Sequence, residues 1–421
     1  MPRAPRLDNT IPFFAKGYAW LPDRRRAAGR STVQTRLMGM RTLGLEGPAG
    51  ARFFYDEAHV QRRTAMPEPI LSTLFGHGAV HTLDGTAHRV RKAMFLSLLT
   101  REGVTSLVEG TVAAWDEAVD EWGRQQQVVL FEEASRVITR GVCRWAGVPL
   151  TDDEVASMAA DLTAMVDGFA TAGRRHWRAR RARTRREAWL AGVVEEVRTE
   201  ERSVRTGSAL AVVARHRDSD GELLEPRVAA VELLNVIRPT VAVAWFVAFS
   251  AHALHRWPET RDRLRSGDAG YARAFAHEIR RFYPFAPFTG GRAAQDLEWD
   301  GERVPAGSLV LLDIYGQDHD PDLWDEPYEF RPERFLDRQI GAYELIPQGG
   351  GDPGAGHRCP GEDLTVALLE TLAPRLAALE YELPEQDLDI SLRRMPALPQ
   401  SRVVLAGVRR PAGKRAGSAM S

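Results

Sequence analysis

The strongest constraint on the fold is the spacing of apolar residues over residues 86–264. They recur every three to four positions, as they do in amphipathic helices. Helix start signals divide this stretch, such as Thr151 before two aspartates and Pro226 before Val228. No Ser/Gly linker and no internal repeat divides the chain. The sequence therefore predicts a mainly α-helical bundle that forms one domain over residues 1–421.

The last third of the chain carries β signals as well. Short β-rich runs occupy residues 297–299 and 308–312, and Asp300-Gly301 between them is a typical hairpin turn. A helix is predicted over residues 362–379 and a last strand over residues 402–407. We expect a disordered tail from about residue 410 to residue 421. The predicted fold class is thus a helical bundle with small β-sheets.

Composition and charge exclude several classes of protein. Apolar residues make up 44% of the chain and charged residues 27%, as in ordinary globular proteins. The 56 basic and 57 acidic residues give a net charge of -1, so no overall field directs the protein to nucleic acid or acidic membranes. Two cysteines, Cys143 and Cys359, cannot form a disulfide framework, which favours a reducing compartment.

Targeting and membrane signals are also missing from the sequence. The N-terminal arginines are not followed by an uninterrupted apolar stretch with a small-residue cleavage site. The most apolar stretch, residues 241–251, is about half the length that spans a bilayer. We therefore expect a cytoplasmic protein without a transmembrane segment.

One segment is strongly basic. Residues 174–186 hold eight arginines, with Trp177 among them. Such a run can bind nucleic acid or anionic lipid. The alternative is a solvated helix face whose charge is partly balanced by Glu187, Glu195 and Glu196, and we prefer it because the run shows no separate apolar and basic stripes.

A glycine-rich loop holds the most reactive residue of the chain. Residues 347–362 read PQGGGDPGAGHRCPGE, so Cys359 lies in a flexible loop just before a predicted helix. A cysteine at a helix N-terminus beside basic groups has a lowered pKa and forms the thiolate that ligates metals. Cys143 lies in an apolar helical segment and fits a buried, inert thiol.

Two further motifs precede this loop. Glu278 and Arg281 lie three positions apart on one predicted helix, where they can pair and reach the cysteine loop. Residues 330–335 read FRPERF. In this order, the three motifs resemble the cytochrome P-450 superfamily over essentially the whole chain. The resemblance implies the P-450 fold and makes Cys359 the axial ligand of heme b iron, a ligation that favours O–O cleavage.

The central helix departs from ordinary P-450 monooxygenases. They carry an acid-alcohol pair there, whereas this chain reads NVIRPT at residues 235–240. Pro239 cannot donate a backbone hydrogen bond, so we expect the helix to bend and open a groove. Arg238 on an apolar helix needs an anion partner. That partner is either a substrate carboxylate or a carboxylate of the protein.

Arg238-Pro239, the QGGGD…GHRC loop and residues 74–85 (LFGHGAVHTLDG) with 88–92 (HRVRK) resemble the bacterial fatty-acid peroxygenases. The resemblance implies that Arg238 pairs with the fatty-acid carboxylate, which then acts as the acid-base group that cleaves hydrogen peroxide. No reductase is then required. It also places His81 beside that carboxylate as a group that directs the product toward decarboxylation, the alternative being a histidine that fills space near the loop.

The resemblance further implies two sets of lining residues. The residues expected to bind the heme propionates are Arg62, His88, Lys92, Arg292 and His357. For Arg62, the alternative is a position on the surface. The alkyl-chain walls are assigned to Met66, Ile70, Leu74, Phe75, Val166, Phe169 and Phe288. Phe75 is also expected to pack near the heme and restrict the His81 ring.

The leading hypothesis is a peroxygenase that hydroxylates fatty acids at the α- or β-carbon, with decarboxylation to terminal alkenes as a second outcome. The nearest alternative is a monooxygenase that needs separate redox partners. Two alternatives from other classes are a heme-binding sensor without catalysis and an RNA-binding protein that uses residues 174–186.

Overall fold

The computed structural model describes residues 7–169 and 171–411. The tail expected to be disordered therefore lies mostly outside the described residues. The helices are α1 (Thr10–Lys16), α2 (Trp20–Ala28), α3 (Gly47–Tyr55), α4 (Glu68–Ile70), α5 (Gly85–Leu98), α6 (Arg101–Trp122), α7 (Leu130–Ala146), α8 (Val155–Asp167), α9 (Arg174–Arg198), α10 (Ala209–Arg215), α11 (Pro226–Val241), α12 (Val243–Arg256), α13 (Pro258–Arg265), α14 (Ala269–Phe282), α15 (Ile314–Asp318) and α16 (Glu362–Ala378).

The strands are short and lie mostly outside the helical region. They are β1 (Val33–Leu37), β2 (Met40–Leu45), β3 (Val60–Gln61), β4 (Gln127–Val129), β5 (Phe288–Ala293), β6 (Leu297–Trp299), β7 (Glu302–Val304), β8 (Leu309–Asp313), β9 (Glu380–Glu382) and β10 (Val404–Arg409). One sheet has the order β1-β2-β8-β5-β3, a second has the order β4-β10-β9, and β6 pairs with β7. The pair β2 and β8 is parallel, and the other pairs are antiparallel.

The predicted fold class is confirmed, and local patterns placed most of its elements. The hairpin β6–β7 turns at Asp300 and Gly301, whose φ angles of 53° and 69° are those of a tight hairpin turn. The helix predicted over residues 362–379 is α16, and the predicted last strand is β10. The region predicted to be helical also contains one strand, β4. Local spacing did not indicate it, because its pairing partner β10 lies far away along the chain.

The main hydrophobic core surrounds α11 and α12. From residue 229 to residue 250 every side chain is buried except Pro239. The stretch Pro226–Arg256 is long and apolar enough to cross a bilayer, but 94% of its most apolar window is buried inside the protein. Its hydrophobicity is therefore accounted for by helix packing, with Trp245 and Phe249 fully enclosed.

The basic run forms the first half of α9. Glu187 pairs with Arg183 at 2.6 Å, so this acid does balance the run. The other two acids pair beyond it, Glu195 with Arg198 and Glu196 with Arg202. The prediction that they balance the run is wrong, because they lie two to three turns further along the helix.

Candidate active site

The cysteine loop is held by backbone contacts that place Cys359 just before α16. The Cys359 N–H donates to the carbonyl of Gln348 at 2.9 Å. Gly349 has a φ of 96°, and a Cβ there would lie 2.6 Å from the Tyr55 hydroxyl. Only glycine fits this close approach. The loop therefore has one defined path, and the Cys359 side chain remains partly open to an interior space.

The pKa of Cys359 differs from the expectation, whereas that of Cys143 agrees with it. Burial raises the pKa of Cys359, although the Gly361 N–H and the charges of Lys92 and Arg280 act to lower it. The predicted lowered pKa is thus wrong for the protein alone, and the charge of a bound iron would favour the thiolate of this cysteine. Burial raises the pKa of Cys143 to about 12, which confirms that this thiol is inert.

The Glu278–Arg281 pair does not reach the cysteine loop. Both side chains are fully buried, and Arg281 donates two hydrogen bonds of 2.7 Å to the Glu278 carboxylate. Arg281 also donates to the carbonyls of Asp318 and Pro327, and Glu278 accepts from the Arg331 N–H at 2.8 Å. The pair therefore anchors the segment that contains the FRPERF motif.

Arg280, one residue before Arg281, takes the role expected of that pair. Its guanidinium donates to the Gln348 side chain at 2.8 Å and to Glu362 at the start of α16. Helical spacing turns Arg280 about 100° away from Arg281, toward the cysteine loop. The sequence contained no signal that distinguishes the two arginines.

Arg238 is buried on α11 without an ion partner. Its Nη2 donates to Asn235 Oδ1 at 3.1 Å, and its Nε has no hydrogen-bond partner. Within residues 7–169 and 171–411 no carboxylate lies at ion-pair distance from it. Burial, together with the charge of Arg183, lowers the pKa of Arg238 to about 9. The alternative of a protein carboxylate as partner is therefore wrong for the described residues, and a buried guanidinium without such a partner is costly.

Pro239 marks the open side of α11. It is exposed although its neighbours along the helix are buried, so its ring borders open space. Pro239 lies inside α11, which ends at Val241, and α12 begins at Val243, so the predicted bend at Pro239 stays a prediction. The hydroxyl of Thr240 donates to the Val236 carbonyl at 2.9 Å and is not directed into this space.

Phe75 and His81 lie against the same region. Their ring centroids are 4.2 Å apart, which confirms the predicted packing, and the Arg238 guanidinium lies 5.9 Å from the Phe75 ring centre. Burial, followed by the charge of Arg238, holds the pKa of His81 well below its ordinary value. These effects favour the neutral imidazole of His81, and its buried Nδ1 has no hydrogen-bond partner in the described part of the chain.

Two charged residues that sequence reasoning missed hold this segment on α11. Glu232 is fully buried and accepts from the Val80 N–H at 2.7 Å and from Asn235 Nδ2 at 3.1 Å. Arg183 of α9 donates to the backbone carbonyls of Leu74 and Phe75. Together they set the spacing between His81 and α11. The available signal was a lone carboxylate in the apolar run of α11.

Three predicted propionate ligands form one buried cluster. The rings of His88 and His357 stack with centroids 3.8 Å apart. Arg62 is buried, with its guanidinium 4.1 Å from the Phe54 ring centre, so the surface alternative is wrong. Among residues 7–169 and 171–411, Arg62 Nη1 and His88 Nδ1 have no hydrogen-bond partner, and the Glu57 carboxylate lies 3.9 Å from His88 Nδ1. Buried donors without partners fit the carboxylates of a heme, and Cys359 with its open side fits the iron.

The other two predicted propionate ligands have partners of their own. Lys92 donates to the carbonyls of Gly356 and Arg358, the latter at 2.8 Å, and burial lowers its pKa to about 8. It therefore supports the cysteine loop. Arg292 contacts the carbonyls of Thr64 and Gly307 and the sulfur of Met40 at 3.1 to 3.3 Å. The structure does not bring Arg292 into the cluster, because β5 directs its side chain to these groups.

The predicted alkyl-chain walls are only partly brought together. Val166 is buried in the main core, and Leu74 packs against that core. Met66, Ile70 and Phe169 are half-buried. Phe288 instead packs against Phe13, with ring centroids 5.4 Å apart, in a separate cluster beside the large sheet. Three residues earlier, Phe285 packs on Phe246 of α12 at 5.1 Å and is nearer to the main core than Phe288.

Asp84 makes this region sensitive to acid. Burial acts to raise its pKa, but hydrogen bonds with His357 and from the N–H groups of Arg62 and Arg63 lower it to about 2. Because the native pKa lies below the ordinary value, the ionised form stabilises the fold at neutral pH and loses this effect as pH falls from about 4 to about 2. We expect Asp84→Asn to lower the free energy of unfolding by about 2 kcal/mol at pH 7.

Urea unfolding of the wild type and Asp84→Asn at several pH values checks this. The difference between the two should shrink below pH of about 4. A difference that stays constant down to pH of about 2 would show that Asp84 contributes by packing and not by its charge.

Parts of the chain match known proteins in sequence. The family model for Cytochrome P-450 matches residues 267–398. Among curated proteins, cytochrome P-450 71A8 of Mentha piperita is 36% identical over 140 residues, which are 32% of this chain and 27% of that protein. The putative cytochrome P-450 137 of Mycobacterium tuberculosis is 29% identical over 204 residues, 47% of this chain and 42% of that protein. The chain thus matches less than half the length of these curated relatives.

Solved structures match over almost the whole chain. A variant of cytochrome P-450SP alpha (CYP152B1) has a TM-score of 0.93 and 42% identity, covering 96% of this chain and 99% of that one. Cytochrome P-450EX alpha (CYP152N1) with myristic acid has a TM-score of 0.92 and 38% identity, covering 98% and 100%. A variant of cytochrome P-450 OleT with arachidonic acid has a TM-score of 0.94 and 36% identity, covering 98% and 100%.

Sequence identity of 36–42% over almost the whole chain shows membership of the same family and not only a shared fold. The cysteine loop and the FRPERF segment lie within residues 267–398 that the family model matches, and the P-450 fold is confirmed. The chain therefore belongs to the cytochrome P-450 family and, within it, to the CYP152 peroxygenases, whose cofactor is heme b.

Proposed function

We propose that this enzyme uses hydrogen peroxide to hydroxylate fatty acids at the α- or β-carbon, with terminal alkenes as a second product. The observation that carries the proposal is Arg238, a buried guanidinium without a carboxylate partner among residues 7–169 and 171–411. A carboxylate is the anion that matches a guanidinium in shape and charge. The structures of P-450EX alpha with myristic acid and of OleT with arachidonic acid support a fatty acid as its source.

The residues of this chain supply binding and proton transfer. Heme held by Cys359 supplies the oxidising chemistry, and thiolate ligation favours O–O cleavage. Arg238 binds the substrate carboxylate, and Asn235 holds the guanidinium from the other side. The bound carboxylate is then the group that takes and returns the proton of peroxide. Thr240, the hydroxyl on this turn of the helix, does not serve because it donates to the Val236 carbonyl. Pro239 faces the open space beside it.

This arrangement separates a peroxygenase from a monooxygenase with redox partners. Hydrogen peroxide alone should support turnover of a fatty-acid series, with 2- and 3-hydroxy acids detected by gas chromatography. Turnover only with a ferredoxin, a reductase and NADPH would contradict the proposal and favour the monooxygenase. Absence of turnover under both conditions, with heme bound, would favour the sensor.

His81 is proposed to direct the product. A neutral imidazole packed on Phe75 can exchange a proton with the substrate carboxylate near Arg238, whereas glutamine cannot. We expect alkene as at least a minor product of the wild type. His81→Gln should move the ratio toward hydroxylation while heme binding and peroxide use are kept, since Arg238 still holds the carboxylate. Gas chromatography at matched conversion measures this ratio.

Phe75→Leu is a useful companion to that variant. It keeps His81 but removes the ring that restricts the imidazole, so a smaller change of the same sign is expected. An alkene-to-alcohol ratio unchanged in His81→Gln would contradict the role of His81 and leave the peroxygenase proposal intact.

A further inference from the structure

Helix α9 has two faces with different chemistry. Its inner face is buried in the core through Ala179, Ala182 and Leu190. Its outer face lines an open surface depression, and we call it the arginine face. It consists of Arg174, Trp177, Arg178, Arg181 and Arg185. These positions recur every three to four residues, so they lie along one side of the helix.

The arginine face holds charge that the protein does not neutralise. Arg185 is paired with Asp161 at 2.5 Å. Arg174, Arg178 and Arg181 are exposed, and no carboxylate lies at ion-pair distance from any of them within residues 7–169 and 171–411. The whole chain carries a net charge of only -1, so this is a local concentration of positive charge. A polyanionic surface complements it.

Apolar side chains accompany these cations. Trp177 is 53% exposed, and the Arg180 guanidinium lies 5.5 Å from its ring centre. On α1, Ile11 and Phe14 are 82% and 53% exposed. The loop that holds Met395 contacts both helices, since Met395 packs in the same cluster as Phe13 of α1 and its carbonyl accepts from Arg175 of α9 at 2.9 Å. The start of α9 and α1 therefore pack against the same loop, and each of the two helices also carries exposed apolar side chains.

The inner side of α9 connects this surface to the substrate site. Arg183 lies two residues after Arg181 and donates to the carbonyls of Leu74 and Phe75, and Phe75 contacts His81 and Arg238. The arginine face is thus the outer side of a helix that holds the substrate-binding segment.

We propose that the arginine face docks the enzyme on the surface of an anionic lipid bilayer. The proposal rests on the proposed function, because a fatty-acid substrate partitions into membranes. Arginines bind anionic headgroups, and tryptophan prefers the interface between water and hydrocarbon. RNA would also attract the arginines. The exposed Ile11 and Phe14 favour lipid, since RNA offers no apolar phase for aliphatic side chains.

Vesicle co-sedimentation of the heme-loaded enzyme tests the proposal. Vesicles of phosphatidylglycerol and phosphatidylcholine should bind the wild type, and vesicles of phosphatidylcholine alone should bind it weakly. The triple variant Arg174→Glu, Arg178→Glu and Arg181→Glu should bind the anionic vesicles at least about 10-fold more weakly. Trp177→Ala should weaken binding also at high salt, where the charge contribution is screened.

The matched control reverses three other exposed arginines, Arg101, Arg124 and Arg144, which lie on α6, after it and on α7. It changes the net charge equally and should keep vesicle binding. Equal losses in both triple variants, or equal binding of both vesicle types by the wild type, would overturn the proposal. Tighter binding to a single-stranded RNA than to anionic vesicles would overturn it in favour of nucleic acid.

Turnover in solution separates this proposal from the proposed function. With a short fatty acid below its micelle-forming concentration and hydrogen peroxide, both triple variants should match the wild type. If the arginine-face variant loses vesicle binding and keeps its turnover, the arginine face serves for docking and not for catalysis. No turnover by the wild type would defeat the proposed function while the vesicle result still decides on docking.

Discussion

Arg238→Ala is expected to reduce peroxide-driven turnover of fatty acids by roughly 10²-fold or more, because one substitution removes both the binding of the carboxylate and the acid-base group that this carboxylate supplies. The structure offers no substitute, since Asn235 is the only hydrogen-bond partner that Arg238 has in the described part of the chain and it is neutral. Initial rates with a saturating fatty acid, measured at equal heme content, give the size of the loss.

Arg238→Lys is the matched control. It keeps the positive charge but loses the two-point contact with a carboxylate, so its rate should lie between those of wild type and Arg238→Ala. A short carboxylic acid added to the wild type should also restore peroxide-driven oxidation of a substrate without a carboxyl group, and should fail to do so in Arg238→Ala. Full activity without any carboxylate would show that a protein group performs the acid-base step.

Cys359→Ala is expected to abolish the thiolate-type spectrum of the reduced carbon monoxide adduct together with peroxygenase activity. Cys359 is held in the loop by the carbonyl of Gln348, with Gly361 directing an N–H to its sulfur. Such contacts tune a thiolate that ligates a metal. The spectrum and the heme content after purification are the two measurements.

The chain provides its own control in Cys143, its second cysteine. Cys143 is buried in α7, and its raised pKa of about 12 keeps it a thiol. Cys143→Ala should therefore retain the thiolate-type spectrum. Retention of that spectrum by Cys359→Ala would show that the assigned axial ligand is incorrect.

Local patterns predicted much of this enzyme correctly. The helices, the turn at Asp300-Gly301 and α16 follow from spacing and turn chemistry that act within a few residues. The order of the motifs indicated the family, and with it Cys359 and Arg238. These elements are readable because the physical causes of each lie close together along the chain.

Partners across long sequence separations were not readable in this way. Arg280 and Arg281 are adjacent, yet one contacts the cysteine loop and the other anchors the FRPERF segment, because α14 presents them to different neighbours. Lys92 was predicted to bind a propionate, but packing of α5 against the loop gave it two carbonyl partners. Glu232 had no predicted role until the fold brought Val80 to it.

By itself, the sequence thus determined the helical bundle, the axial cysteine and the presence of an arginine and a proline on the central helix, since each depends on local spacing or on a continuous motif. Only the tertiary structure decided that no acid in the described part of the chain lies at ion-pair distance from Arg238, and that Arg62 Nη1 and His88 Nδ1 have no hydrogen-bond partner there. It also decided that Arg174, Arg178 and Arg181 face outward on α9. Whether a charge is paired depends on which distant elements pack against it, and packing is a property of the whole fold.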